Sequence, residues 1–233
     1  MKIGFSTGAL ALGDFKLALD LLRGKPTTAV ELSALRVQEL PSLVAALPNL
    51  DLTPFSYVAI HAPSAFNADE EDSIVAQLKR VPPNRCIVLH PDTIHDYTKW
   101  TGFGPQLLIE NMDRRKKDGR TARELAVWFD LLPQARLCFD LAHAQHFDPT
   151  MTEAFHILAQ FGSKVCQVHI SELDSASHHF PLSFSALRAF SEVTQKIPRD
   201  AAFIIESRIR PDEIQSEFEK VCSLVAALEL VPA

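Results

Sequence analysis

The chain has 233 residues, 47% hydrophobic and 22% charged, with a formal net charge of -6. That balance excludes a disordered or collagen-like chain and disfavours a strongly basic nucleic-acid binder, and the length fits one domain over 1–233. The cysteines Cys86, Cys138, Cys166 and Cys222 lie far apart with no CxxC pair, which rules out a zinc ribbon or thioredoxin-like motif.

The N-terminal MKIGFSTGALALGDFK has no long apolar leader core, and no apolar run approaches the ~20 residues that cross a bilayer. The sequence therefore predicts a cytoplasmic protein with no membrane partner. In chain order, short apolar runs fall at 3–5, 29–32, 58–60, 87–89, 107–109, 137–139, 165–168 and 202–205. Runs this short and rich in Val and Ile read as buried parallel strands. Amphipathic segments separate them. The first, 14–22, places Phe15, Leu19 and Leu22 on one face behind a capping Asp14. Segments 121–132, 152–161, 183–194 and 212–228 follow the same rule, the last behind Pro211. Eight strand–helix repeats in one domain predict an α/β fold, a single (β/α)8 TIM barrel, with a doubly wound open sheet as the alternative. The fourth interval is the shortest, and its DTIHDYTKWTGFG makes a poor helix, so the fourth helix is expected to be reduced or missing.

The chemistry sits where each run ends. AVELS gives Glu31, VAIHAP His61, IVLHPD His90, LLIENM Glu110, LCFDLAH Asp140 and His143, VCQVHIS His169 and FIIES Glu206. In a parallel barrel these ends share the mouth that carries active sites. With 29 acidic residues and 9 histidines in the chain, six consecutive hits have odds of about one in a hundred. Several ionisable groups buried together disfavour their own charged forms unless a cation joins them, and mixed Glu, Asp and His donors suit Zn²⁺ or Mn²⁺.

The order His61, His90, Glu110, Asp140-x-x-His143, His169, Glu206 resembles the xylose isomerase-like TIM barrel superfamily. That group includes sugar isomerases and epimerases and endonuclease IV. The resemblance runs from the first strand to Glu206 and rests on HAP, LHP, IEN, D-x-x-H and the closing glutamate. It implies a metal site of Glu110, Asp140, His169 and Glu206, with Glu110 and Glu206 also moving protons in the epimerase branch. There His143 would orient substrate; in endonuclease IV it would be a further zinc ligand. His61 and His90 would join Glu110 in another zinc site, as in endonuclease IV.

Departures weigh against that second branch. Ala176 stands where endonuclease IV carries an aspartate, leaving His178 and His179 in SASHHFPLS, and Glu206-Ser207-Arg208 replaces its Glu-Thr-Pro. Arg208 and His178 are candidate substrate contacts. The basic stretch Arg114, Arg115, Lys116, Lys117 and Arg120 is a candidate anchor for a substrate phosphate or a nucleic-acid backbone. The leading expectation is a metal-dependent isomerase or epimerase of a sugar-like hydroxycarbonyl, catalysed by Glu110, Glu206 and His143. The alternatives are an endonuclease IV-like phosphodiester hydrolase acting on abasic sites and a non-catalytic metal-retaining barrel.

Overall fold

In the computed structural model, residues 1–226 are described, and every apolar run of the sequence forms a strand of one closed barrel. The strands are β1 (Lys2–Ser6), β2 (Ala29–Ser33), β3 (Tyr57–His61), β4 (Cys86–Leu89), β5 (Leu107–Glu110), β6 (Arg136–Asp140) and β7 (Val165–Ile170). A two-residue antiparallel pair follows, β8 (Glu172–Leu173) with β9 (His179–Phe180), and β10 (Ala202–Ile205) closes the barrel between β7 and β1. All barrel ladders are parallel. The observed fold is therefore the (β/α)8 barrel rather than the open sheet.

The helices are α1 (Thr7–Ala11), α2 (Phe15–Leu22), α3 (Leu40–Ala46), α4 (Glu71–Leu78), α5 (Ala122–Leu131), α6 (Leu141–Phe147), α7 (Thr152–Phe161), α8 (Phe184–Thr194) and α9 (Ile214–Ala226). Side-chain caps start several of them. Asp14 accepts from Leu17 N at 3.0 Å, Thr121 from Glu124 N at 3.1 Å and Ser183 from Ala186 N at 3.2 Å, each worth about 1 kcal/mol. Apolar residues at helical spacing face the barrel: Leu125 and Phe129 on α5, Ala154, Ile157, Leu158 and Phe161 on α7. A single 3₁₀ turn, Pro211–Glu213, precedes α9; residues 227 and 228 of the expected segment lie outside the described residues.

The fourth unit departs from the repeat as its sequence predicts. Three 3₁₀ segments, Pro91–Thr93, Tyr97–Lys99 and Thr101–Gln106, replace an α-helix between β4 and β5. Trp100 from this segment is fully buried, and its indole donates to Glu71 Oε1 at 3.0 Å. Glu71, itself buried, also accepts from the backbone N–H of His95 at 2.9 Å and of Asp96. One carboxylate on α4 thus replaces the hydrogen bonding a helix would supply.

Two apolar clusters support the mouth. The larger fills the space between strands and helices; a small plug of Val88, Leu108, Cys138 and Cys166, flanked by Tyr57 and Cys86, sits apart from it. Gly4 is required where β1 meets β2, because a Cβ there would lie 1.6 Å from Ala29 O. The cysteines Cys86, Cys138, Cys166 and Cys222 are all free. No helix among the described residues is long and apolar enough to cross a membrane.

Candidate metal centre

Because the strands are parallel, their C-terminal ends deliver side chains to one mouth. Glu110, at the end of β5, is the hub. Its Oε2 lies 3.2 Å from His61 Nε2 and 3.2 Å from His90 Nε2; its Oε1 lies 2.9 Å from His169 Nδ1. His169 Nδ1 is also 3.5 Å from Glu206 Oε2 and 3.8 Å from Asp140 Oδ2. Donor atoms consequently converge in two sets that share Glu110: His61, His90 and Glu110, and Glu110, Asp140, His169 and Glu206.

Backbone groups orient these side chains. His61 Nδ1 lies 2.7 Å from Ala62 O and His143 Nδ1 lies 2.9 Å from Asn111 O. A carbonyl only accepts, so each Nδ1 carries the hydrogen and a neutral ring keeps its lone pair on Nε2. For His61, Nε2 faces the Glu110 carboxylate, where it donates when the ring is protonated and offers a lone pair to an ion when it is not. Asp140 caps α6, its Oδ1 accepting from His143 N at 2.6 Å, while Oδ2 has no hydrogen-bond partner among the described residues. Asn111 secures Asp140 on both sides, accepting from its N–H at 2.7 Å and donating to its carbonyl at 2.8 Å. The i, i+3 spacing of Asp140 and His143 comes from this first turn of α6.

Burial dominates the electrostatics. It pushes Glu206 up to about 8 and Asp140 up to about 6, with neighbouring carboxylates adding to the effect and His169 or His143 opposing it. Burial would also raise Glu110, but the charges of His169 and His90 and bonds from His169 and His61 hold it well below the usual carboxylate range. His61 rises to about 9 despite burial, through its hydrogen bond to Glu110 and the charge of Glu31. Crowded carboxylates, histidine nitrogens gathered around Glu110 and an orphaned Asp140 oxygen are the features a divalent cation relieves. The donor set fits a Zn²⁺ or Mn²⁺ ion.

No family model and no curated protein sequence matches the chain. Solved structures do. A xylose isomerase-like TIM barrel protein from Mycobacterium smegmatis, in complex with magnesium, aligns with a TM-score of 0.61 at 12% identity, covering 98% of this chain and 96% of that one. SacUVDE aligns with a TM-score of 0.59 at 10% identity, over 96% and 99% of the two chains. A putative sugar phosphate isomerase/epimerase from Anabaena variabilis gives 0.56 at 13% identity, over 100% and 88%. The chain has the fold of the xylose isomerase-like TIM barrels.

In this barrel, a cleft of about 100 Å³ opens over the donor atoms. His61, His90, Glu110, His143, Glu206 and Arg208 all line it, and Asp140 and His169 lie buried beside them. The larger groove between α2 and the 49–55 loop, about 360 Å³, is lined by none of the strand-end residues. His178, expected to contact substrate, does not line the cleft. It is exposed and pairs with Asp174 at 3.1 Å, whereas the adjacent His179 lines the cleft and bonds Ser171 at 2.8 Å. Consecutive residues of a strand point to opposite faces, so entering β9 one residue later exchanges their roles.

The basic stretch is also largely engaged. Lys116 pairs with Asp92 at 3.0 Å, Arg120 with Glu124 at 2.6 Å, and Arg115 donates to Ala176 O. Asn111, Gln167 and Glu31 carried no assigned role in the sequence, and of the pair His178 and His179 the first was the expected contact. Glu31 had a signal, being a carboxylate inside the apolar run of β2. Gln167 had only its place two residues before His169, on the same face of β7.

Proposed function

We propose that the chain is a cytoplasmic, divalent-metal-dependent isomerase or epimerase acting on a small sugar or sugar-like hydroxycarbonyl. The observation that carries this reading is the pair of glutamates from separate strands, Glu110 and Glu206. Both line one small cleft, and both approach His169 Nδ1, at 2.9 and 3.5 Å. Two carboxyl groups over one substrate can remove a proton from the carbon beside a carbonyl and return one elsewhere.

Glu110, Asp140, His169 and Glu206 would hold the ion, which when bound supplies positive charge to stabilise negative charge developing on a substrate oxygen. One glutamate, as carboxylate, takes the carbon-bound proton. The other, carrying a proton, delivers it to the neighbouring carbon in an isomerase or to the opposite face of the same carbon in an epimerase. His143, its Nδ1–H committed to Asn111 O, offers Nε2 to a substrate hydroxyl. Arg208, exposed at the cleft, is placed to pair with an anionic substituent. The cleft of about 100 Å³ and the internal pairing of Lys116 and Arg120 favour a small molecule over a nucleic acid.

A second reading, phosphodiester hydrolysis, is supported by the separate convergence of His61 and His90 on Glu110 Oε2. It lacks support at the seventh strand, where Ala176 offers no ligand and His178 is turned to Asp174. The experiment that separates the two is incubation with keto-sugars in D₂O. Deuterium beside the carbonyl, abolished by Glu206→Gln, supports proton transfer. Metal-dependent cleavage of abasic DNA, falling steeply with salt and without any exchange, supports the hydrolase. Neither activity in the metal-loaded protein leaves the non-catalytic barrel.

A further inference from the structure

Beneath the cleft the barrel interior is not apolar throughout. Glu31, in the middle of β2, is fully buried, as are Gln167 and His169 on β7. Glu31 Oε2 lies 2.9 Å from His169 Nε2, the ring nitrogen opposite the one that faces Glu110, Asp140 and Glu206. Gln167 Nε2 donates to the same oxygen at 2.6 Å, and Gln167 Oε1 accepts from the Tyr57 hydroxyl at 2.9 Å. A hydrogen-bonded column thus runs from Tyr57, beside the apolar plug, through Gln167 and Glu31 to His169.

We propose that Glu31 is a positioning residue for His169, accepting its Nε2–H and so holding the ring with Nδ1 toward Glu110, Asp140 and Glu206. This rests on the reading of that group as metal ligands. The argument is one of lone pairs. A carboxylate oxygen and an unprotonated imidazole nitrogen repel at 2.9 Å, so a hydrogen lies on Nε2; the equal contact of Nδ1 with Glu110 Oε1 calls for a second hydrogen there until an ion between His169 and Glu110 takes its place. The rival arrangement has the Gln167 amide, 2.7 Å from Nε2, donating to an unprotonated Nε2. That would place the ring hydrogen on Nδ1, aimed at Glu110 and blocking coordination. The amide has a second N–H besides the one given to Glu31, so what decides against it is the Glu31 carboxylate itself, which only accepts and requires a hydrogen on the facing Nε2.

A fully buried carboxylate is costly unless it is hydrogen-bonded. Orienting a ligand is a role that retains it, because carboxylates behind metal-bound histidines fix tautomer and ring direction. This makes Glu31 part of the site although it does not line the cleft.

The test uses the full chain, as wild type and as Glu31→Gln, which keeps shape and removes the charge. ¹⁵N-histidine NMR of the wild type, metal-free and Zn²⁺-loaded, should show His169 Nε2 protonated, with a low-field Nε2–H signal that moves in Glu31→Gln. Titration with Zn²⁺ or Mn²⁺ against a competing chelator should show affinity about 10–100-fold weaker in the variant, at unchanged circular dichroism. An Nδ1–H tautomer with bare Nε2 in the wild type overturns the proposal, as does equal metal affinity in two folded proteins. If the wild type binds no metal, the ligand reading fails, and the dependence of the Nε2–H signal on Glu31 still decides this proposal. If the variant does not fold, the wild-type spectrum decides it alone.

Discussion

Asn111 is the residue whose loss should separate a built site from an accidental cluster. It is fully buried, and its side chain makes two bonds to the backbone of Asp140, at 2.7 and 2.8 Å, while its own carbonyl takes the His143 Nδ1–H at 2.9 Å. Replacement by Ala removes the two side-chain bonds and strands the Asp140 N–H and carbonyl away from water. A buried group left unpaired costs about 1–3 kcal/mol, so the pair should cost about 3 kcal/mol once partial relaxation is allowed. For a domain of this size, about 2–4 °C per kcal/mol makes that a Tm lower by roughly 6–12 °C. The same change frees the first turn of α6, so Asp140 and His143 lose their fixed aim. Metal affinity should fall beyond the loss of stability. Asn111→Asp should do worse than Ala at neutral pH, since it sets a carboxylate against the Asp140 carbonyl. Thermal melts and urea unfolding measure the first effect, and chelator competition at 10 °C, where both proteins are folded, measures the second. A Tm within 2 °C of wild type, together with unchanged metal affinity, would refute the reasoning.

Metal addition should itself stabilise: a ligand at 100 times its Kd contributes about 2.7 kcal/mol, so Zn²⁺ or Mn²⁺ should raise Tm by several degrees and a chelator reverse it. No shift with either ion would count against the centre. His61→Ala combined with His90→Ala should remove one ion from any two-ion protein and leave the set of Glu110, Asp140, His169 and Glu206 occupied; elemental analysis of both proteins checks the stoichiometry. Glu71→Ala should expose the poorly helical segment between β4 and β5, seen as faster amide exchange at His95 and Asp96. Burial would raise the Glu71 carboxyl, but the Trp100 indole and the His95 and Asp96 amides hold it below its usual 4.5. Its stabilisation is therefore complete above pH 4.5 and lost as pH falls through the lowered value, so the urea-midpoint gap between wild type and variant should narrow on acidification. Gly4→Ala should not yield folded barrel, because the new Cβ meets backbone rather than a movable side chain; soluble protein with a wild-type melt would contradict this.

The barrel was legible along the chain because its strands are buried on both faces, and such strands read as continuous apolar runs whatever surrounds them. The helices with clean amphipathic faces, α2, α5, α7 and α8, the first, second and last of them with side-chain caps, were legible for the same local reasons. Helices α3, α4 and α6 were not, being short and held by tertiary contacts. The α6 helix starts from a strand-end aspartate whose oxygen serves as both cap and candidate ligand. The candidate ligands could be read because a parallel barrel sends every strand end to one mouth, so topology alone converts sequence order into proximity. What the order could not decide was direction. Whether His178 or His179 enters the cleft depends on one residue of hairpin register, and whether Arg115, Lys116 and Arg120 are free depends on partners as distant as Ala176 and Asp92. The roles of Glu31 and Gln167 also waited for the closed barrel, since an interior column of hydrogen bonds exists only once opposite strands face each other across it.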